Sequence, residues 1–328
     1  MSRLGEFERI ARFFSPLVEG QSDALGLTDD AALVTPPPGK RMAVTADALV
    51  AGVHFLADDP ADRVARKALR VNISDLAAMG AEPYGYTITL ALPRGMVDPE
   101  AWIERFARGQ AEDHAEFGIR LLGGDSVSTP GPLSISVTAF GWVPADRALT
   151  RAGAQPGDDI YVSGTIGDSF LGLAVLRGED FDLSEAERTI LADRYLLPQP
   201  RPQLGHLLLD VASAGLDVSD GLLQDLGHIC EVSGGGAEVE LPLVPFSDLG
   251  QRLVRAGAVL AEDLVSGGDD YELLFTAPET ARDLISNLAG KAALPLTRIG
   301  KMRSGGGVDL LDAAGKIMAL DRRGYTHA

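Results

Sequence analysis

The chain has 328 residues, 45% of them hydrophobic, a single cysteine and a formal net charge of -18. So acidic a chain is excluded as a general nucleic-acid binder, which needs a basic stripe to replace phosphate counterions. Cys230 alone excludes an intramolecular disulfide and a cysteine-cluster zinc site, and no apolar run reaches the roughly 18 residues that span a bilayer. Glu6 and Glu8 stand where a signal peptide would be basic and then apolar. These totals predict a cytoplasmic protein with neither a membrane nor a nucleic-acid partner. The length predicts two domains, and 38 glycines with 6% aromatic residues predict an α/β or α+β enzyme with many tight turns, of which the succession of elements favours α+β.

In chain order, Leu4, Phe7, Ile10, Ala11 and Phe14 share one face of a helix ended by Pro16. An acidic turn at Asp29 and Asp30 leads into a short apolar strand, and Pro36 to Gly39 turn the chain into the next one. Ala43 to Phe55 alternates apolar and polar, placing Thr45 and Asp47 at the end of a half-buried strand with His54 beyond. Asp59 and Pro60 cap a helix running to about Met79, whose last turns hold Asp75 among small apolar residues. A strand from Tyr84 to Leu92, a helix from Asp98 to Phe117, a Gly123-Gly124-Asp125 turn and a strand from Leu133 to Trp142 complete a first α+β unit, 1–148. The second, 149–328, opens on a glycine- and proline-bearing junction at Arg151. It runs through a strand at Asp159, a strand-to-helix turn at Asp217 to Asp225, a Gly267-Gly268-Asp269 turn, a strand from Leu273 and short strands near Ile299 and Val308.

Six segments, 26–34, 43–55, 72–80, 123–129, 217–225 and 266–272, hold eleven acidic side chains and neither lysine nor arginine. Each alone reads as an N-cap, a turn or, for His54, a structural histidine. Jointly they do not, because solvated acidic faces interleave bases. Two unpaired carboxylates about 4 Å apart repel by roughly 4 kcal/mol at an effective dielectric of about 20, so clustering several needs a cation. Oxygen donors without a histidine or cysteine set favour Mg²⁺, and Mg²⁺ with few protein ligands completes its shell on substrate phosphates. The common phosphate loops, GxxxxGK[ST] and GxGxxG, are absent, as are the protein-kinase motifs.

Nine motifs in order then carry a resemblance over nearly the whole length. They are Asp29 to Leu33, Thr45 to Asp47, Gly52 to Phe55, Asn72 to Pro83, Gly123 to Asp125, Leu149 to Ala154, Asp217 to Leu222, Ser266 to Leu273 and Gly324 to His327. With them the chain resembles the thiamine-monophosphate kinase family, within the aminoimidazole ribonucleotide synthetase-like superfamily. The resemblance implies direct in-line transfer of the γ-phosphoryl of ATP to thiamine monophosphate, with no general base or covalent nucleophile. It implies Asp30, Thr45, Asp47, Asp75, Asp125, Asp217 and Asp220 as Mg²⁺ ligands, with the main chain of Ala46. Gly124, Asp125, Arg151 and Ser219 would touch ATP; His54, Glu272 and Tyr325 would hold the thiamine end. It further implies a homodimer whose N-terminal domains, which bind Mg-ATP, pair through their sheets. Ala46 and Thr28 depart from the family pattern, which commonly has a hydroxyl residue and a glycine there. The alternatives are another ATP-dependent enzyme of the same superfamily and a non-catalytic acidic metal-binding protein.

Overall fold

A computed structural model describes residues 4–320, 322, 324 and 325; Thr326 and His327 of the last sequence motif lie outside the described residues. The chain divides into two compact units, Met1–Leu76 with Ala81–Asp146, and Ala77–Gly80 with Arg147–Ala328. Both mix helix and sheet, the α+β class that the succession of elements implied.

The N-terminal unit runs α1 (Glu6–Arg9), β1 (Lys40–Val50), α2 (Ala61–Ala78), β2 (Glu82–Pro93), α3 (Pro99–Phe117), β3 (Arg120–Thr129) and β4 (Ser134–Pro144). Its four strands lie in the order β1-β4-β2-β3, so β1 and β3 are the two edges. Strand alternation gives the sheet two faces. Register places Thr45, Ala139 and Tyr86 in one row and Asp47, Val137 and Ile88 in the next. This is the face that meets α2 and α3, through Thr45 to Asp75 and Tyr86 to Gln110 and His114. The opposite face carries Met42 and Val44, respectively 41% and 59% exposed.

The two long helices are joined by ion pairs. Arg70, 1% exposed, donates from Nη2 and Nε to Asp113, which is 0% exposed, and Arg66 Nε reaches the same carboxylate at 2.8 Å. Asp98 begins α3 by accepting from the Ala101 N–H, and left-handed Gly118 ends it.

Three local expectations differ from the structure. The Leu4–Phe14 helix is one α-turn followed by a wide π-turn over Ile10–Phe14; the change of pitch buries Phe13 and Phe14 and leaves Phe7 83% exposed. No strand follows Asp30: Pro36 to Pro38 lack ladder donors, and pairing starts only at Lys40. Gly123 and Gly124 form no turn but lie within β3, because a Cβ on Gly124 would overlap the Ile88 carbonyl oxygen of β2. Glycine here permits a close strand approach and not a reversal.

The C-terminal unit contains β5 (Asp159–Ser163), α4 (Asp168–Leu176), α5 (Glu185–Leu196), α6 (Pro202–Leu208), β6 (Ala214–Asp217), α7 (Leu222–Ser233), β7 (Gly236–Glu240), α8 (Asp248–Arg255), α9 (Ala261–Ser266), β8 (Leu273–Ala277), α10 (Arg282–Ala292), β9 (Leu296–Arg303) and β10 (Val308–Leu311). Six strands pair in the order β10-β7-β9-β5-β8-β6, all antiparallel except β10 with β7. One face packs Leu222, Leu226 and Ile229 of α7 against Ile160, Val162, Leu274 and Val239. Another core joins Leu204 and Leu208 of α6 with Ile285 and Leu288 of α10 around Tyr161 and Phe275. Apolar burial on both faces explains why β5, β6 and β8 are buried throughout.

Candidate active site

In the N-terminal unit three predicted residues meet. Thr45 and Asp47 lie two apart in the middle of β1, not at its end, and therefore point to the same side. Asp75 comes down from α2, and Thr45 Oγ1 donates to its Oδ2 at 2.5 Å. Burial, then the Asp75 charge, then a hydrogen bond with Asp75, push the Asp47 carboxyl up to about 6. Two carboxylates and a hydroxyl thus share a partly dry corner. The donor set is hard oxygen throughout, which fits a divalent cation of the Mg²⁺ type. Ala46 faces the other, exposed side of the strand.

Asp30 and Asp125 occupy a different place. With Thr28, Thr87, Gly123 and Gly124 they line a cavity of about 580 Å³, whose remaining wall includes Phe7, Ile10, Phe14 and Phe140. Thr45, Asp47 and Asp75 do not line it. Asp125 is in register with Thr89, Thr89 with Ser136 and Ser136 with Ala48, so Asp125 faces away from Asp47. It also sits on the opposite edge strand, three strand spacings or about 14 Å across the sheet. The carboxylates expected to form one cluster are therefore two groups in a single copy of this unit. The aromatic wall of the cavity was not found from sequence, since Phe7 and Phe140 are far apart in the chain and neither carries a motif.

His54 lies in the tight turn that follows β1, where Gly52 takes φ +82° and Ala51 bridges Phe55. Its Nδ1 accepts from the Val50 N–H at 3.1 Å, which puts the imidazole proton of the neutral ring on Nε2.

In the C-terminal unit the acidic turn between β6 and α7 is held by a residue given no role from sequence. Asp225, on the first turn of α7, accepts from the N–H groups of Ser219, Asp220 and Gly221 through one oxygen, Oδ2, at 2.9, 3.0 and 3.2 Å. Burial, then the Asp220 charge, raise this carboxyl to about 7, while the three N–H bonds pull it back. The signal available was its spacing: an Asp one turn into a helix, following Ser-Asp-Gly, can cap the N–H groups before it. The glycine turn of residues 267–269 backs the same loop, with Asp269 N donating to Ser219 O at 2.7 Å and Tyr271 N to Val218 O at 2.8 Å. Asp217 ends β6, 6% exposed. Arg151 is exposed at the start of the unit, its carbonyl accepting from Ser233 Oγ.

Glu272 is fully buried, and both its oxygens are engaged. Arg201 donates to them from Nε at 2.8 Å and from Nη2 at 2.5 Å, Arg194 Nη2 reaches Oε1 at 3.3 Å, and Ser163 Oγ donates to Oε2 at 2.6 Å. Its carboxylate orders two arginines. Tyr325 is 39% exposed, and its N–H donates to the Asp220 carbonyl.

No group of three or more His, Cys, Asp or Glu side chains among the described residues is arranged to hold a metal ion. The arrangement offers small sets of oxygens, so a cation held by them would need further ligands from phosphates or water.

The comparisons agree with this architecture. Residues 28–143 match the AIR synthase related protein N-terminal domain, and residues 155–312 match the AIR synthase related protein C-terminal domain. The chain is 45% identical to a thiamine-monophosphate kinase of Escherichia coli strain K12, over 98% of each chain. It is similar to the crystal structure of thiamine-monophosphate kinase from Stenotrophomonas maltophilia K279a, with 43% identity, a TM-score of 0.84 and coverage of 96% of this chain and 98% of that one. A protein solved as AaThiL complexed with AMPPCP and TMP shares 30% identity at a TM-score of 0.77, covering 99% of both chains.

Proposed function

We infer from one premise, that the chain belongs to the thiamine-monophosphate kinase family of AIR synthase related proteins, that it transfers the γ-phosphoryl group of ATP to thiamine monophosphate, releasing thiamine diphosphate and ADP. The observation that carries this reading is identity of 45% over 98% of the chain, a match that takes in both units. A solved relative bound to AMPPCP and TMP supports the pairing of a nucleotide with a phosphorylated acceptor.

In this reaction an acceptor phosphate oxygen forms a bond to the γ-phosphorus while the bond to the β-phosphate oxygen breaks. The acceptor is already ionised at neutral pH, so no side chain has to remove a proton from it. The residues that hold Mg²⁺ in this reading are Asp30, Thr45, Asp47, Asp75, Asp125, Asp217 and Asp220, with the Ala46 main chain. Mg²⁺, when bound, neutralises both sets of phosphates and aligns them. The protein's own contribution is positioning and charge placement. Asp75 keeps the Thr45 hydroxyl oriented by accepting its hydrogen bond. Asp225 keeps the Ser219 and Asp220 main chain rigid. Gly124 and Asp125, which line the cavity with its apolar wall, take the nucleotide in this reading, and Arg151 and Ser219 are assigned to it by the family resemblance. His54 and Tyr325 take the thiamine end, and Glu272 acts there through Arg194 and Arg201.

A homodimer belongs to this reading. Asp47 and Asp125 stand on opposite edges and opposite faces of one sheet, so a single copy of the unit does not bring them together, and pairing of the sheets of two copies is proposed. Exposed Met42, Val44 and Val127 supply the apolar face for such pairing. Sedimentation equilibrium tests it: a dimer that Val44→Glu converts to an inactive monomer is expected, and an active monomeric wild type overturns it. A cytoplasmic location accords with the single, buried and free cysteine, and no described helix is long and apolar enough to cross a membrane.

The deciding experiment incubates purified protein with Mg²⁺-ATP and thiamine monophosphate, with free thiamine as control. ADP and thiamine diphosphate in equal amounts are expected from the monophosphate. Product from free thiamine alone, or none from either, overturns the assignment.

A further inference from the structure

Gln224 on the first turn of α7 joins two features that the sequence motifs treat separately. Its Nε2 donates to Asp220 Oδ2 at 3.2 Å and to the Tyr325 carbonyl at 2.7 Å, so each amide hydrogen has its own acceptor. Gly324 lies beneath it, buried: a Cβ there would come within 2.6 Å of Gln224 Cβ and 2.7 Å of the Asp220 carbonyl oxygen. Residues 322, 324 and 325 are thus tied to the acidic turn and its neighbour, with Tyr325 N donating to Asp220 O at 2.8 Å and Ser266 Oγ donating to Arg322 O at 3.1 Å.

The acidic turn does not need this side chain to keep its shape. Asp225 holds its three N–H groups, and Asp269 and Tyr271 hold two of its carbonyls. Removing the Gln224 amide therefore loosens the segment that carries Tyr325 and leaves the Ser219 and Asp220 main chain in place, while the Asp220 carboxylate loses one donor.

We propose that Gln224 is a positioning residue that docks the Tyr325 segment onto the Asp220 turn, and that it sets affinity for the acceptor substrate independently of the nucleotide. The inference rests on the kinase reading, in which Tyr325 serves the thiamine end and Ser219 the nucleotide. A hydrogen bond of this kind contributes about 0.5–1.5 kcal/mol net, or roughly a two- to twelvefold change in a binding constant.

The test is steady-state kinetics of the full-length protein with Mg²⁺-ATP and thiamine monophosphate, comparing wild type with Gln224→Met. Methionine keeps the length and packing of the side chain and removes both donors. The expected result is a KM for thiamine monophosphate raised about three- to tenfold, with the KM for ATP changed by less than about 1.5-fold. A merely structural role moves both constants together, or neither. Either outcome in a folded Gln224→Met overturns the proposal. Should that variant fail to fold, Gly324→Ala, whose methyl group crowds Gln224 and the Asp220 carbonyl and so displaces the same segment, is judged by the same two constants. A wild-type protein that makes no thiamine diphosphate overturns the kinase reading and this inference with it. An active wild type matched by Gln224→Met overturns the inference alone.

Discussion

Thr45 and Asp75 are bound hydroxyl to carboxylate at 2.5 Å, one from an edge strand and the other from the long helix that covers it. With Asp47 beside them, the corner concentrates two carboxylates and a hydroxyl, and the Asp75 charge is felt at Asp47.

Removing either charge therefore separates catalysis from stability. Asp75→Asn and Asp47→Asn are expected to cut turnover of thiamine monophosphate by about a hundredfold or more, since they weaken charge placement at the reacting phosphates. Both should stay folded by circular dichroism. In metal-free buffer their melting temperatures should equal or exceed that of wild type, because like-charge repulsion is relieved. Near-normal turnover in either folded variant would remove this corner from the active site.

The Arg70–Asp113 pair makes a second prediction. Asp113→Ala leaves a buried guanidinium without its buried carboxylate and should destabilise the N-terminal unit by about 3–5 kcal/mol. Both tryptophans, Trp102 and Trp142, belong to this unit, so tryptophan fluorescence during urea unfolding reads it selectively. Combining Arg70→Met with Asp113→Leu should recover most of the loss, as apolar packing replaces the pair.

His114 gives the same unit a pH dependence. Gln110 Nε2 donates to the Tyr86 hydroxyl, which is hydrogen-bonded to His114 Nε2, each at 2.8 Å. Burial lowers its pKa from 6.5 to about 4. Between those values the unfolded chain binds a proton that the folded chain refuses. Stability from this group is present above pH 6.5 and is lost as pH falls toward 4, by up to roughly 3 kcal/mol. His114→Gln, which cannot titrate, should flatten the tryptophan-monitored stability between pH 7 and 5; an unchanged slope would remove His114 as its source.

Two glycines should respond oppositely to alanine. Gly227, within α7, has open space for 4 Å around the position a Cβ would take, and Gly227→Ala should stabilise by about 0.5–1 kcal/mol through helix propensity. Gly124→Ala drives a methyl into the Ile88 carbonyl and should cost about 1–3 kcal/mol or more while weakening nucleotide binding. Thermal unfolding with and without Mg²⁺-ATP checks both.

Much of this was legible because it is local. Alternation in β1 put Thr45 and Asp47 on one side, caps at Asp98 and Gly118 bounded α3, and base-free acidic segments marked the site chemistry. The resemblance then supplied roles that spacing alone left open. What failed locally failed for tertiary reasons: Gly123-Gly124 has the composition of a turn, and only the closeness of β2 makes it strand.

The amino-acid sequence by itself determined the α+β class and the family, since these follow from composition, periodicity and ordered motifs that a chain displays before it folds. Only the tertiary structure decided which donors meet. Strand order placed Asp47 and Asp125 on opposite edges, and packing turned Glu272 inward onto Arg194 and Arg201. It also set Asp225 and Gln224 beneath the acidic turn. Strand order, register and side-chain partners depend on contacts between residues distant in sequence, and those contacts leave no periodic signal along the chain.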